Sequence, residues 1–267
     1  MAALMGANGE IRTDIPHSAR IWNYWMGGKD NYDIDCTVGD DCARIYPRIG
    51  EIACEARRFA IRTVRYLAEE AGVGQFLDLG VGLPTPSNVH DVAQQIAPAA
   101  RVVYVDNDPL VLTHARAMLT SRTCEGVTCV VDADFRDTAD VIGQARQVLT
   151  FSAPIAVLMV QVLGHTASTE EMWETVAATM SAVPSGSYLA VYDVTDTDDR
   201  LMHMFEAYAR SGAAPYRPRT QEALQDCMRG LETVAARVPT AGDGQPATPR
   251  SEAVTALPVY RSVGRKP

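Results

Sequence analysis

A chain of 267 residues with 47% hydrophobic and 21% charged residues can bury one large core, so a single α/β domain spanning 1–267 is expected. A net charge of −9, from 24 basic against 33 acidic residues, argues against nucleic acid and anionic membrane surfaces as partners, because both require clustered Lys and Arg. No apolar run approaches the roughly 18 residues of a spanning helix. Met1 to Arg12 lacks the charged start and apolar centre of a signal peptide, so a cytoplasmic protein is expected. Cysteines 36, 42, 54, 124, 129 and 227 form no C-x-x-C pair and read as buried thiols in a reducing compartment, with neither metal nor disulfides.

From Ser18 to Met26, the residues Ile21, Trp22, Trp25 and Met26 recur at helical spacing, and Gly27-Gly28 stop that helix. It reads as a short amphipathic lid or dimer element, consistent with a homodimer. Its tryptophans read as core or interface, since aromatic pairs on such a helix usually pack. The polar run Gly27-Gly28-Lys29-Asp30-Asn31-Tyr32 follows, positioned to fold over a ligand, with a plain glycine stop as the alternative. Ile49 to Ala71 then reads as one long helix, apolar along Ile52, Ala56, Phe59, Ala60, Val64 and Leu67 and closed by Gly72.

The next segment, Gln75 to His90, places an apolar run, an acid and two glycines before a helix read as Ser87 to Ile96. Phe76, Leu77 and Leu79 suit a buried parallel strand, while Gly80 and Gly82 allow a tight turn and close approach to a ligand. A second apolar run, Val102 to Val105, ends in Asp106-Asn107-Asp108-Pro109, where an acid can accept from both hydroxyls of a ribose. A dinucleotide fingerprint needs a third small residue where Thr85 stands, and Pro84 and Pro86 remove amide donors that a pyrophosphate would want. The loop therefore suits a nucleoside without phosphates. S-adenosylmethionine fits, with Asp78 facing its ammonium and Asp106 its ribose; the plain alternative is that the glycines only turn the chain.

Beyond Asp106 the pattern alternates: a helix from Leu110 to about Leu119, a strand near Val127 to Val131, a helix near Thr138 to Leu149, and the apolar strand Ile155 to Val160. Ser168-Thr169-Glu170-Glu171 opens a helix to Val183, and Gly186 precedes a strand from Tyr188 to Tyr192. Thr195 to Arg200 reads as polar loop, Pro239 to Arg250 as a mobile connection, and Val259 to Val263 as the last strand. Such alternation requires a parallel sheet. After the third strand, in Asp132-Ala133-Asp134-Phe135, an acid can accept from an adenine amine and the next amide can donate to the ring. A solvated acidic turn is the alternative reading.

The stretches Pro16-His17-Ser18-Ala19-Arg20, Gly27 to Tyr32, Gln75 to Thr85, Asn88-Val89-His90 and Val103 to Pro109 closely resemble an actinobacterial family of S-adenosyl methyltransferases, long described as a domain of unknown function. The resemblance covers roughly residues 14 to 235 and returns weakly at Val263 to Pro267. It implies a class I methyltransferase fold: an α/β, doubly wound, seven-stranded, mostly parallel sheet with an N-terminal helical cap at 14–72. It also implies S-adenosylmethionine as cofactor, held by Asp78, Gly80, Gly82, Pro84, Thr85, Asp106, Asn107, Asp134, Phe135 and Gln161. Tyr24, Lys29, Asn31 and Tyr32 become candidate cofactor-covering or substrate contacts. The implied activity is methylation of a small molecule, in secondary metabolism.

The chain departs from its relatives where substrate would sit. The family usually reads Leu-His-Phe after the fourth strand, but Gln161-Val162-Leu163-Gly164-His165 moves the histidine by one position. A usual Ser-His after the fifth becomes Tyr192-Asp193, and a Trp-Arg-Pro motif near the C-terminus is missing. His165 is a candidate general base, Asp193 a residue to orient it or to bind a substrate ammonium, and Tyr192 a face for the positive sulfur. A lone histidine is as readily a supporting residue. Two alternatives to methyl transfer stay open: a lyase closing the cofactor's aminobutyrate chain to 1-aminocyclopropane-1-carboxylate with release of methylthioadenosine, and a non-catalytic binder.

Overall fold

The computed structural model describes residues 11–234 and 256–267. Its sheet contains β1 (Gln75–Leu79), β2 (Arg101–Asp106), β3 (Val127–Asp132), β4 (Ala156–Val160), β5 (Tyr188–Val194), β6 (Glu232–Thr233) and β7 (Val259–Arg265). The spatial order is β3-β2-β1-β4-β5-β7-β6. Strands β1 to β5 pair in parallel, whereas β7 runs antiparallel to β5 and to β6. Every residue of β1 and β5 is buried, as a parallel strand covered on both faces requires. The order reverses between β1 and β4, and the crevice outside the carboxyl ends of those strands is where an open α/β sheet takes a ligand.

Nine helices flank the sheet among the described residues: α1 (Ser18–Trp25), α2 (Asp33–Ile45), α3 (Ile49–Glu69), α4 (Val89–Ile96), α5 (Pro109–Met118), α6 (Thr138–Ala145), α7 (Thr169–Ala182), α8 (Asp199–Ala209) and α9 (Gln221–Asp226). Alternate strand residues feed two apolar layers. Phe76, Tyr104 and Tyr192 pack with α1, α3, α4, α5 and α8, while Leu77, Val103, Val157 and Leu189 pack with α6, α7 and α9. Each such side chain contributes about 1.5–3 kcal/mol on burial. The long helix α3 belongs to the first layer, packing on α4, β4 and β5, so it is part of the wall of the sheet as well as of the N-terminal cap. No described helix is long and apolar enough to cross a membrane.

Several boundaries differ from the sequence reading. Helix α2 escaped it because only Asp35, Gly39 and Cys42 of its thirteen residues are buried, so it carries no apolar stripe. The acids read as loop at 195–200 include Asp198, whose carboxylate accepts from the amides of Arg200 and Leu201 and starts α8. Helix α4 begins at Val89 behind an Asn88 cap, later than the Ser87 start read from the sequence. Helix α6 ends at Ala145, four residues early, and β5 runs on to Val194. Helix α9 and the two-residue β6 were too short for a periodic signal. The stretch Pro239 to Arg250 lies outside the described residues.

Candidate functional site

The turn after β1 is built around two left-handed glycines. Gly80 has φ +73°, and a Cβ there would also sit 2.6 Å from Val162 Cγ2, so backbone and packing both demand glycine. Gly82 has φ +63°, with open space where a Cβ would project. Asp106, ending β2, holds this turn: its Oδ2 accepts from Gly82 N at 3.0 Å, and its Oδ1 from Asn107 N and Asp108 N at 2.9 and 3.0 Å. Oδ1 is filled by its two amides, while Oδ2 keeps capacity for one further donor. Burial pushes the Asp106 carboxyl up, against the pull of those amides.

Asp78 is only 5% exposed, and its carboxylate makes no hydrogen bond to the protein among the described residues. Burial pushes its pKa up to about 6, opposed by Arg57 and reinforced by Asp106. Arg57, on α3, lines the same cavity while its Nε and Nη2 donate to Thr85 Oγ1 and Asn88 Oδ1 at 3.0 and 2.8 Å. Cation and carboxylate thus face each other across the mouth of the glycine turn.

Helix α1 closes the opposite side. His17 Nδ1 pairs with Asp108 Oδ2 at 2.5 Å, and His17 N donates to Asp35 Oδ1 at 2.9 Å, tying the start of α1 to the end of β2 and to α2. Burial raises the Asp108 carboxyl, but the His17 pairing outweighs it and leaves the group below its usual range. Ser18, Ala19, Trp22 and Met26 then line the cavity.

The glycine-rich run after α1 packs onto that helix. Asn23 is buried beneath it, its Oδ1 accepting from Asp30 N and Asn31 Nδ2, and a Cβ at Gly28 would collide with its amide. Asn31 is spent on that lock and on Gly28 O, Tyr32 presents its ring to Arg20, and Lys29 is exposed. Tyr24 donates to Asp40 at 2.6 Å on the far side of the helix. None of these four, offered by the sequence as ligand contacts, lines the cavity, because α1 turns its Ser18–Trp22–Met26 face inward instead.

At the ends of β3 and β4, Asp134 and Phe135 reach the wall, but Arg136 grips both carboxylate oxygens of Asp134, with Nε at 2.8 Å from Oδ1. That pairing offsets the burial which would raise the group and holds it low, so Asp134 has less left for an adenine amine than the sequence suggested. Gln161 sits at φ +55°, unusual for a residue with a side chain, and its Nε2 is buried without a partner. Such strain, of order 1–3 kcal/mol, is tolerated mainly at functional positions.

His165 ends a 3-10 turn, Leu163–His165, and lines the cavity. Its Nδ1 lies 3.0 Å from Pro215 O, which can only accept, so Nδ1 carries the proton and Nε2 accepts from Ser18 Oγ at 2.9 Å. Burial lowers its pKa to about 4; His17, Arg136 and Arg217 push the same way, and the Pro215 carbonyl opposes. The ring is therefore neutral at pH 7. Gly164 stands where the family carries histidine because Tyr216 fills that space, its ring atoms 2.5 Å from where a Cβ would be, and His165 packs edge-on against the same ring at 5.1 Å.

Two further expectations are corrected. Tyr192 is fully buried against Phe59 on the α3 side of the sheet, with no access to the cavity. Asp193 points to the turn and not to a ligand: it accepts from Leu163 N, Val194 N and the Tyr216 hydroxyl, and burial raises it to about 6. Its role is to anchor the segment that presents His165.

These elements enclose a cavity of about 720 Å³, within the roughly 300–1,000 Å³ of small-molecule sites. Of the sequence candidates it gathers Asp78, Gly80, Gly82, Asp106, Asn107, Asp134, Phe135, Gln161 and His165. Pro84 and Thr85 lie behind the wall, Thr85 serving the Asn88 cap through its amide. His17, Ser18, Trp22, Arg57 and Arg217 also line it without having been ligand candidates. The family-like run Pro16 to Arg20 was a signal for the first two; Arg57 and Arg217 carried none.

The residues fit S-adenosylmethionine. A nearly buried carboxylate without a protein donor suits its ammonium, Arg57 its carboxylate, and the free capacity of Asp106 its ribose. A sheet of this order, with a glycine turn after β1 and an acid closing β2, defines a class I methyltransferase. The chain matches the S-adenosyl methyltransferase family over residues 5–267 and belongs to it, so S-adenosylmethionine is its cofactor. It is similar to a DUF574-family protein of Streptomyces avermitilis MA-4680, at 34% identity over 97% of this chain and 100% of that one, TM-score 0.87. It is likewise similar to a protein of Thermobifida fusca YX, at 33% identity over 95% and 97%, TM-score 0.82. Among curated proteins none matches this chain.

Proposed function

We propose that this methyltransferase acts on a small molecule in the cytoplasm, with the cofactor lying from Asp78 and Arg57 across Asp106 to Phe135. The observation that carries this reading is Asp78: an almost buried carboxylate with no protein partner, opening on the cavity beside Asp106. Leaving such a group unpaired is costly, and a bound ammonium removes the cost. When bound, the cofactor supplies an electrophilic methyl group on a sulfonium. The protein's part is to orient, to exclude water and to take a proton.

Orientation falls to Asp78, Arg57 and the Gly82–Asp106 clamp. Water is excluded by α1, held down through His17 and Asp108. The Nε2 of neutral His165 receives the proton, with Ser18 Oγ in between. An enclosed cavity and a chain of net charge −9 favour a small acceptor over nucleic acid.

The test is a nucleoside assay on purified protein. Adenosylhomocysteine should form from S-adenosylmethionine only when an acceptor pool is added. Methylthioadenosine from the cofactor alone would replace this reading with the lyase, and no turnover with any pool would leave a binder.

A further inference from the structure

One lining arginine has a side chain with no polar partner among the described residues. Arg217, between α8 and α9, is fixed by its backbone N–H donating to Gly164 O at 2.7 Å, yet its guanidinium makes no hydrogen bond or ion pair among the described residues. The other lining arginines are engaged: Arg12 with Asp14, Arg20 with Asp35 and two carbonyls, Arg57 with Thr85 and Asn88, and Arg136 with Asp134. Arg136 and Arg217 both act on the His165 ring, and Arg136 is already paired with Asp134. Arg217 is thus the cation at the His165 end of the cavity that a ligand anion can meet.

A second observation concerns donors and acceptors at the same end. Ser18 Oγ, in a residue 7% exposed, gives its proton to His165 Nε2 and, with the Tyr208 hydroxyl also beside it, has one lone pair left for a donor from the cavity. Trp22, 8% exposed, adds an apolar ring to the same wall.

Resting on the methyltransferase reading above, we propose that the acceptor is a hydroxy-carboxylic acid, its carboxylate received by Arg217 and its hydroxyl donated to Ser18 Oγ. The hydroxyl proton passes to Ser18 Oγ as the serine's own proton passes to His165 Nε2, which leaves Ser18 neutral and both imidazole nitrogens bonded, to Ser18 and to Pro215 O. The bound carboxylate offsets the cations around His165 and so favours its protonated form at the moment it is needed. A neutral or cationic acceptor would leave Arg217 unmatched.

The test is calorimetric titration of protein saturated with adenosylhomocysteine, using hydroxybenzoates, hydroxycinnamates and 2-hydroxy acids, each paired with its primary amide. The expected result is that at least one acid binds tenfold or more tightly than its amide. Arg217→Gln should abolish that preference and Arg217→Lys retain most of it, with adenosylhomocysteine affinity unchanged in both. Arg217 is exposed, so neither variant should lower the melting temperature. Equal affinity for acid and amide, binding of neither, or a preference that survives Arg217→Gln overturns this inference alone. Failure of adenosylhomocysteine to bind is a separate result and overturns the functional reading beneath it.

Discussion

Replacing Asp78 by Asn should move stability and cofactor affinity in opposite directions. The carboxyl ionises near 3.8 when unfolded and at about 6 in the folded chain, because burial disfavours its charge. The folded state therefore holds an extra proton between those values. Its destabilising contribution is absent below about pH 4, grows through the window, and is complete above about pH 6. The interval corresponds to about 3 kcal/mol at pH 8, an upper figure because the asparagine amide must itself face the cavity.

With about 2–4 °C per kcal/mol for a chain of this size, Asp78→Asn should raise the apo melting temperature by several degrees at pH 8, with a smaller rise at pH 5. The same change removes a charge-assisted hydrogen bond to the ligand's ammonium, of about 1.5–3 kcal/mol, or roughly 10- to 150-fold in adenosylhomocysteine affinity. Wild-type affinity should also fall about tenfold from pH 7 to pH 5, where Asp78 must first lose a proton, and the variant should lose that part of the dependence. Differential scanning calorimetry and titration calorimetry read the two effects separately. A variant that binds as wild type, or that melts lower at pH 8, refutes the role given to Asp78.

Other outcomes follow from the same geometry. Gly80→Ala should cost about 2 kcal/mol or more, from a left-handed backbone and a clash with Val162; adding Val162→Ala should recover only the clash, as denaturant melts would show. Tyr216→Phe leaves the buried Asp193 carboxylate with backbone donors alone, at a cost of about 1–3 kcal/mol. Since Asp193 is raised to about 6 and needs the hydroxyl only when ionised, the loss should appear in melts at pH 8 and shrink at pH 5.

What could be read from the sequence was what the chain brings together locally. Asp78, Gly80 and Gly82 lie within one strand and turn, and Asp106 ends the neighbouring strand, so their convergence needs only a parallel pair. Ser18, Arg57 and Arg217 come from three distant segments, and nothing near them in sequence marks them as neighbours. Tyr192 and Asp193 were misplaced for another reason. Position at a strand end does not fix direction; β5 continues to Val194, which turns Tyr192 toward α3 and gives Asp193 to the Leu163 turn. The run from Gly27 to Tyr32 looked functional because its residue types are polar and particular, but that particularity belongs to the lock on Asn23.

The most direct test is titration calorimetry of the wild-type chain and of Asp106→Ala with adenosylhomocysteine and with NAD. The geometry predicts one adenosylhomocysteine bound per chain, sharply weaker binding in Asp106→Ala, and no heat with NAD. Binding of NAD with none of adenosylhomocysteine, or an Asp106→Ala variant that binds unchanged, would contradict the site described.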